Sequence, residues 1–493
     1  MKTSPRRVAC LLALSATAAC MVGPDFRRPD APAADRFTAE ALPATTASTE
    51  GEGGAAQGFV KQMDIPGQWW NLFHSKPLND LIARALATNP DVAAAQAALR
   101  SAQELAAAQR GAFLPGVDAS FNPTRQSVPS ALSSPLSSAS NVYTLHTAQV
   151  SVGYTIDLFG GARRQLESLT AQADYQRFQL EAAYLTLSSN VVAAAVGEAS
   201  LRGQIAATRR LIEIQEQSLQ LLRRQFEVGQ VAEVDVLAQE AALAQTRMAL
   251  PPLNKQLAWQ RDLLARLAGQ LPGDALEAQF ELGSLALPQE LPLSLPSQLV
   301  EQRPDVRAAE ALLHSATADV GVAVANRLPN ITLSANVGAV ATQLSELFTS
   351  DAGFWALAGN VTQPVFQGGA LLHRQRAAEA ALDAAAAQYR GTVLTAFQNV
   401  ADTLHAIECD ADALRAAADA ERAAGRSLEI SRNQLALGEV SYLALLNAEQ
   451  TYQQAVMAKV QAAANRYADT AALFQALGGG WWNRAAGEAL ARR

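Results

Sequence analysis

Few residues in this 493-residue chain have types and spacing that suit chemistry, and those few argue against catalysis. His74, His146, His314, His373 and His405 stand far apart, none beside a cysteine or carboxylate cluster at metal-ligand spacing. The cysteines, Cys10, Cys20 and Cys409, share no such spacing either, and their count excludes a disulfide framework. No phosphate-cradling loop, nucleophile elbow or dinucleotide fingerprint occurs, and the Gly-Gly pairs fit turns better. Neither metal, cofactor nor enzymatic turnover is expected. Cys409 lies alone in a long helical stretch and reads as a small packed residue. Cys20 differs, because of what precedes it. Lys2, Arg6 and Arg7 introduce a short apolar run over residues 8–14, and residues 15–19 are small. Residues 1–19 therefore read as a secretory signal peptide, too short to span a bilayer.

The rest of the chain is built around two alanine-rich, proline-free stretches, residues 161–229 and 369–438. An unbroken helix of that length spans roughly 100 Å. In the second, Tyr389, Val393, Ala396, Val400, Leu404, Ile407, Ala411 and Leu414 step by fours and threes. That period belongs to helices packed side by side. With 49% hydrophobic residues the chain can bury a large core. Losing Lys2, Arg6 and Arg7 with the leader takes the formal charge from −7 to about −10, which argues against nucleic acid as a partner.

The chain says nearly the same thing twice. Asn89-Pro90-Asp91-Val92 and Arg303-Pro304-Asp305-Val306 each open a helix, 214 residues apart. Residues 218–229 match residues 427–438 at an offset of 209. Each half reads as shorter helix, strand, loop, strand, long helix, glycine, returning helix. The returning helices are expected over residues 233–267 and 441–477, with short helices near 78–86 and 295–302. The domain reading is signal peptide 1–19, flexible N-terminal segment 20–60, first repeat 61–270, connector 271–296, second repeat 297–480 and an uninformative tail 481–493.

Four segments alternate strictly. Val117, Ala119 and Phe121 oppose Asp118, Ser120 and Asn122; Val150, Val152, Tyr154, Ile156 and Leu158 oppose Gln149, Ser151, Gly153, Thr155 and Asp157. After Pro329, Ile331, Leu333, Ala335 and Val337 alternate with Thr332, Ser334 and Asn336; Trp355, Leu357 and Val361 oppose Ala356, Asn360 and Thr362. One face apolar and one small and polar suits a membrane-barrel strand, and also a half-buried strand of a soluble sheet. Residues 352–372 carry no charge, but Gly359, Pro364 and Gly368 argue for a strand over a membrane helix. Four strands cannot seal themselves in lipid, so a membrane sheet requires further copies: two would supply eight strands, three twelve. The hairpin loops, residues 123–141 and 343–351, are polar. Gly160, Gly161, Gly368 and Gly369 stand where strand becomes rod and read as hinges.

Three motifs carry a resemblance. Thr17-Ala18-Ala19-Cys20 is similar to a bacterial lipoprotein cleavage site, with Thr17 where leucine is usual. Val22-Gly23-Pro24-Asp25-Phe26 with Pro29, and then Trp69-Trp70-Asn71-Leu72-Phe73, resemble the mature start of TolC-like outer-membrane efflux factors of the NodT lipoprotein branch. The resemblance runs from Cys20 to about Gly480. It implies an α+β membrane protein: a homotrimer with a 12-stranded β-barrel, a long antiparallel α-helical barrel and a small mixed equatorial region. It implies a Cys20-acylated duct in the outer membrane, its helices in the periplasm, touching outer-membrane lipid. The implied partners are a periplasmic adaptor and an inner-membrane resistance-nodulation-division transporter. The implied task is passive conduction of drugs or other small molecules, with type I protein secretion or a pore-free lipid-anchored scaffold as alternatives. It also implies a closed aperture at the rod tips, where an adaptor contacts Gly229, Gln230, Val231, Gly438, Glu439 and Val440. Leu443 matches an apolar constriction. Asn447 falls where relatives commonly carry aspartate. Asp235 matches an acid that ties the closed state, and Val440 stands where its basic partner would be. A gate closed by packing is expected.

Overall fold

The computed structural model describes residues 21–127, 129, 142–274 and 276–484. The signal peptide, Cys20, most of the first hairpin loop and the last nine residues of the tail lie outside the described residues. In chain order the main elements are β1 (Gly58–Lys61), α1 (Lys76–Thr88), α2 (Pro90–Arg110), β2 (Gly116–Ser127), β3 (Val142–Ile156), α3 (Gly161–Glu227), α4 (Glu233–Met248) and α5 (Leu250–Leu267). Then come β4 (Glu290–Leu293), α6 (Pro296–Gln302), α7 (Pro304–Ala325), β5 (Asn330–Ala341), β6 (Gly353–Thr362), α8 (Ala370–Ala436) and α9 (Tyr442–Ala476). The chain divides into two units, to which the long helices contribute separate segments.

The first unit, Met1–Pro29, Ala98–Gln176 and Ala308–Tyr389, holds an antiparallel sheet in the order β2-β3-β5-β6. Pro115 and Pro329 stop the preceding helical segments, since proline lacks a donor and holds the residue before it extended. The sheet's register aligns the alternation of all four strands. Val117 faces Val152, which faces Ala335, which faces Leu357. The next such row is Ala119, Val150, Val337 and Trp355. Between them runs a row of small and polar residues, Asp118, Ser151, Asn336 and Ala356. A one-residue slip would scramble both faces. The uncharged segment 352–372 begins as the strand β6.

The second unit, Asp30–Ala97, Arg177–Arg307 and Arg390–Arg493, packs Trp69, Phe73, Leu78, Leu299 and Phe474 into a core. Trp69 stacks on Phe474 at 5.3 Å. The α8 stripe from Tyr389 to Leu414 is buried throughout. Cys409, read from sequence as packed, is instead exposed, because it lies off that stripe. Asn89 Nδ2 donates to the Leu267 carbonyl and Arg303 Nη1 to the Ala476 carbonyl, both at 3.1 Å. Gly269 and Gly478, which follow those two returning helices, abut the carbonyls of Thr88 and Gln302.

Two further sequence readings need correction. The first returning helix is broken at Ala249, where Pro251 and Pro252 open α5 as first-turn residues. Residues 20–60 are expected to be flexible, yet β1 at the end of that segment pairs in parallel with β4 of the connector. Fully buried Arg466 of α9 donates to the Gly53 carbonyl at 2.5 Å and to Gln57 Oε1 at 3.0 Å, pinning the segment. The start of the tail is docked as well. Trp481 Nε1 donates to the Gln302 carbonyl at 2.7 Å, and Arg484 pairs with Glu181 at 3.0 Å.

Candidate functional site

Each rod ends in the same turn. Gly229 adopts φ +74° and Gly438 φ +76°, a region that residues with a Cβ enter at a cost. The Gly229 N–H donates to the Phe226 carbonyl at 2.9 Å and the Gln230 N–H to the Gln225 carbonyl at 2.8 Å. The second turn repeats this, with Gly438 bonded to Leu435 and Glu439 to Gln434. These are Schellman caps, which satisfy orphan helix carbonyls and reverse the chain. Behind both turns one apolar core joins four helices. Leu219 and Leu222 come from α3, Val236 and Leu243 from α4, Leu428 from α8 and Leu445 from α9.

On the far side of α9 from that core, Leu443 is 65% exposed and Asn447 is exposed one turn further on. The two share an exposed helix face. Asp235 makes no ion pair among the described residues. Its Oδ2 accepts the Ala232 N–H at 3.3 Å, so the carboxylate caps the first turn of α4. Tip turns, Leu443, Asn447 and Asp235 thus all lie around one helix end.

At the other rod end, Asp157 accepts the N–H groups of Ala162 and Arg163 at 3.1 and 3.0 Å and starts α3. Of the four hinge glycines, Gly160, Gly368 and Gly369 have positive φ. Gly161 does not; it is the first residue of α3, close against Ala325. The motif at residues 22–26 is anchored beside this start. Arg164, with its side chain 1% exposed, donates from Nε to the Val22 carbonyl at 3.1 Å and from Nη2 to Asp25 Oδ1 at 2.6 Å. Phe26 stacks on His314 at 4.3 Å, and His314 Nε2 lies 2.9 Å from Glu167 Oε1. Cys20, just before this clip, lies outside the described residues.

The sheet leaves its apolar rows bare: Trp355 is 79%, Leu357 76% and Val337 60% exposed. A soluble protein of this size does not leave such a patch to water. A family model described as outer membrane efflux protein matches residues 81–270 and 295–479. The chain belongs to that family. It is 29% identical over 485 residues to the toluene efflux pump outer membrane protein TtgC of Pseudomonas putida, covering 96% of each chain. It is 32% identical over 422 residues to the pyoverdine export outer membrane protein OpmQ of Pseudomonas aeruginosa, covering 84% of this chain and 87% of that one. The fold matches the outer-membrane channel OprN with a TM-score of 0.83 at 29% identity, over 94% of this chain and all of OprN. It also matches the CmeC channel of Campylobacter jejuni with a TM-score of 0.84 at 22% identity, over 96% and 98% of the two chains.

The protein is thus an outer-membrane efflux component with a TolC-like channel fold. Sequence reasoning found the tips and the sheet but missed Arg164, Arg466 and Glu449. A signal existed for each, since a charged residue held in a packed helix demands partners, but for Arg164 and Arg466 the anchoring partners Asp25, Gly53 and Gln57 lie far away in sequence. Glu449, 1% exposed on α9, is the most isolated of the three.

Proposed function

We propose that three copies join their four-stranded sheets into a 12-stranded barrel, with the rods continuing it as a periplasmic helical tunnel. One observation carries this reading: a sheet with one apolar face in register across all four strands, unpaired along β2 and β6 among the described residues. Lipid admits no open sheet edge, and a barrel wider than eight strands leaves room to conduct. The contacts that recur in each half support an internal repeat, in which each half supplies two strands and one helical hairpin.

In this reading Leu443 and Asn447 line the aperture at the tip, which packing closes more than charge. The turns at Gly229, Gln230, Val231, Gly438, Glu439 and Val440 receive a periplasmic adaptor, and a resistance-nodulation-division transporter in the inner membrane supplies energy and selects the cargo. Acylated Cys20 fixes the N-terminus in lipid beside the clip at residues 22–26. Drugs and other small molecules are the cargo class, as toluene and pyoverdine are for the relatives named above. The test is imaging of single particles of detergent-extracted protein, paired with planar-bilayer recording. Three-fold particles that conduct are expected. A water-soluble monomer without channel activity would end the proposal.

A further inference from the structure

The two hairpins carry one ion pair in two states. Arg223 of α3 and Glu240 of α4 meet at 2.6 Å, both in contact with water. Their counterparts 209 residues on are Arg432 of α8 and Glu449 of α9. There the separation opens to 3.8 Å, and Glu449 is buried. Neither Glu449 oxygen has a hydrogen-bond partner. The same holds for four neighbouring polar atoms in the tip: Gln215 Oε1, Gln239 Oε1, Tyr442 Oη and Arg432 Nη2. Gln239 is tied to α3 from its other end, Nε2 donating to the Gln215 carbonyl at 2.9 Å. Around them stand the apolar residues of the tip core.

A buried carboxylate that accepts no hydrogen bond and has its cation only at 3.8 Å is costly, and taking up a proton lowers that cost. The neutral acid also gains a donor, which two unpartnered amide oxygens nearby can accept. We propose that Glu449 is a proton-dependent latch of the tip. It is protonated while α9 packs on α3 and α4, and ionised once the helices part and water enters. The step moves one proton from the carboxyl to solvent and breaks no other bond. The link to an aperture rests on the duct reading above; the latch itself does not.

Burial raises the Glu449 carboxyl above the ordinary glutamate range, with Gln215 and Arg432 drawing it back without reaching hydrogen-bond distance. The charged group acting on the Glu449 carboxyl is Arg432 on α8, and α3 presents the uncharged Gln215; Tyr442 of α9 feels both Glu449 and Asp235 of α4. A carboxyl raised in the packed state stabilises packing fully below the ordinary glutamate value. That contribution fades as pH rises through the raised value. Acid therefore holds the tip shut, and opening becomes easier toward neutral and alkaline pH.

The experiment is amide exchange on the full chain in detergent from pH 5 to 8, corrected for intrinsic rates, following residues 436–450. Wild-type protection should fall with pH by up to about tenfold per unit, the limit for one proton. Glu449→Gln, which mimics the neutral acid, should stay protected and flat. Arg432→Gln should move the fall to higher pH, whereas a purely structural bridge would lower protection at every pH. A flat wild-type profile, or equal slopes in wild type and Glu449→Gln, would overturn the latch. Bilayer conductance that rises with pH only in wild type would tie the latch to the pore. Channels that conduct alongside pH-independent exchange would sink the latch and spare the duct. Silence in the bilayer with the exchange difference intact would sink the duct and spare the latch.

Discussion

The hairpin from α3 to α4 and the hairpin from α8 to α9 turn on the same glycine cap and share one apolar core, yet their returning helices and their charges differ. Behind the first, the returning helix breaks after 16 residues at Ala249 and resumes on a proline pair. Behind the second, α9 runs 35 residues unbroken. The first carries its Arg–Glu pair in water; the second buries the glutamate. Val234 and Leu443 occupy matching exposed places, but Asp235 caps its helix where the second hairpin has Ala444. A duplicated element can keep its turn and still divide its labour, because the turn is local chemistry and the work behind it depends on what packs there.

Substitutions can break or sharpen this comparison. Leu445→Ala removes a tip-core side chain that is 3% exposed and should cost about 2–5 kcal/mol in thermal unfolding of the detergent-purified protein. Leu443→Ala, on the opposite face, should change stability by less than about 0.5 kcal/mol but raise the resting leak in bilayers. An unaltered leak would remove Leu443 from the aperture. Val460→Pro puts a proline where the second repeat matches Pro251 and should cost about 3 kcal/mol or more. A smaller loss would mean that α9 tolerates a break as the first hairpin does.

Gly229→Ala and Gly438→Ala should each cost about 1–2 kcal/mol, and equally, since both glycines hold the same left-handed cap. Unequal losses would show that the two turns are not equivalent. Asp235→Ala should cost about 0.5–1 kcal/mol and loosen only the start of α4, visible as faster exchange there. The subtlest effect concerns Asp410 of α8. Burial first, then neighbouring Asp469 of α9, push its carboxyl up to about 7, with Arg466 opposing. The matching first-repeat positions are Leu201 and Gln260, which do not titrate. A raised carboxyl stabilises the fold below its ordinary value and loses that contribution as pH rises through about 7. The α8–α9 contact should therefore loosen between pH 6 and 8 in exchange measurements, and Asp410→Asn should be flat. Parallel loosening of α3 against α5 would refute the asymmetry.

Much of this molecule is local and was legible as such. Alternation marked the four strands, and a period near 3.5 marked the α8 stripe, because burial of one face imposes a repeat along a strand or helix. Glycines marked both caps because only they enter that conformation without penalty. Pro251-Pro252 was equally legible as a break, and the expectation of one helix passed over it. Other features had no local trace. β1 and β4 are four residues each, and they pair across more than 200 residues of chain. Nothing within residues 44–61 names Arg466 as their anchor. Glu240 and Glu449 occupy the same place in two similar repeats, and sequence alone gives them one character. Burial is set by which helices arrive alongside, so only the packed tip made one a solvated surface charge and the other an acid sealed from water.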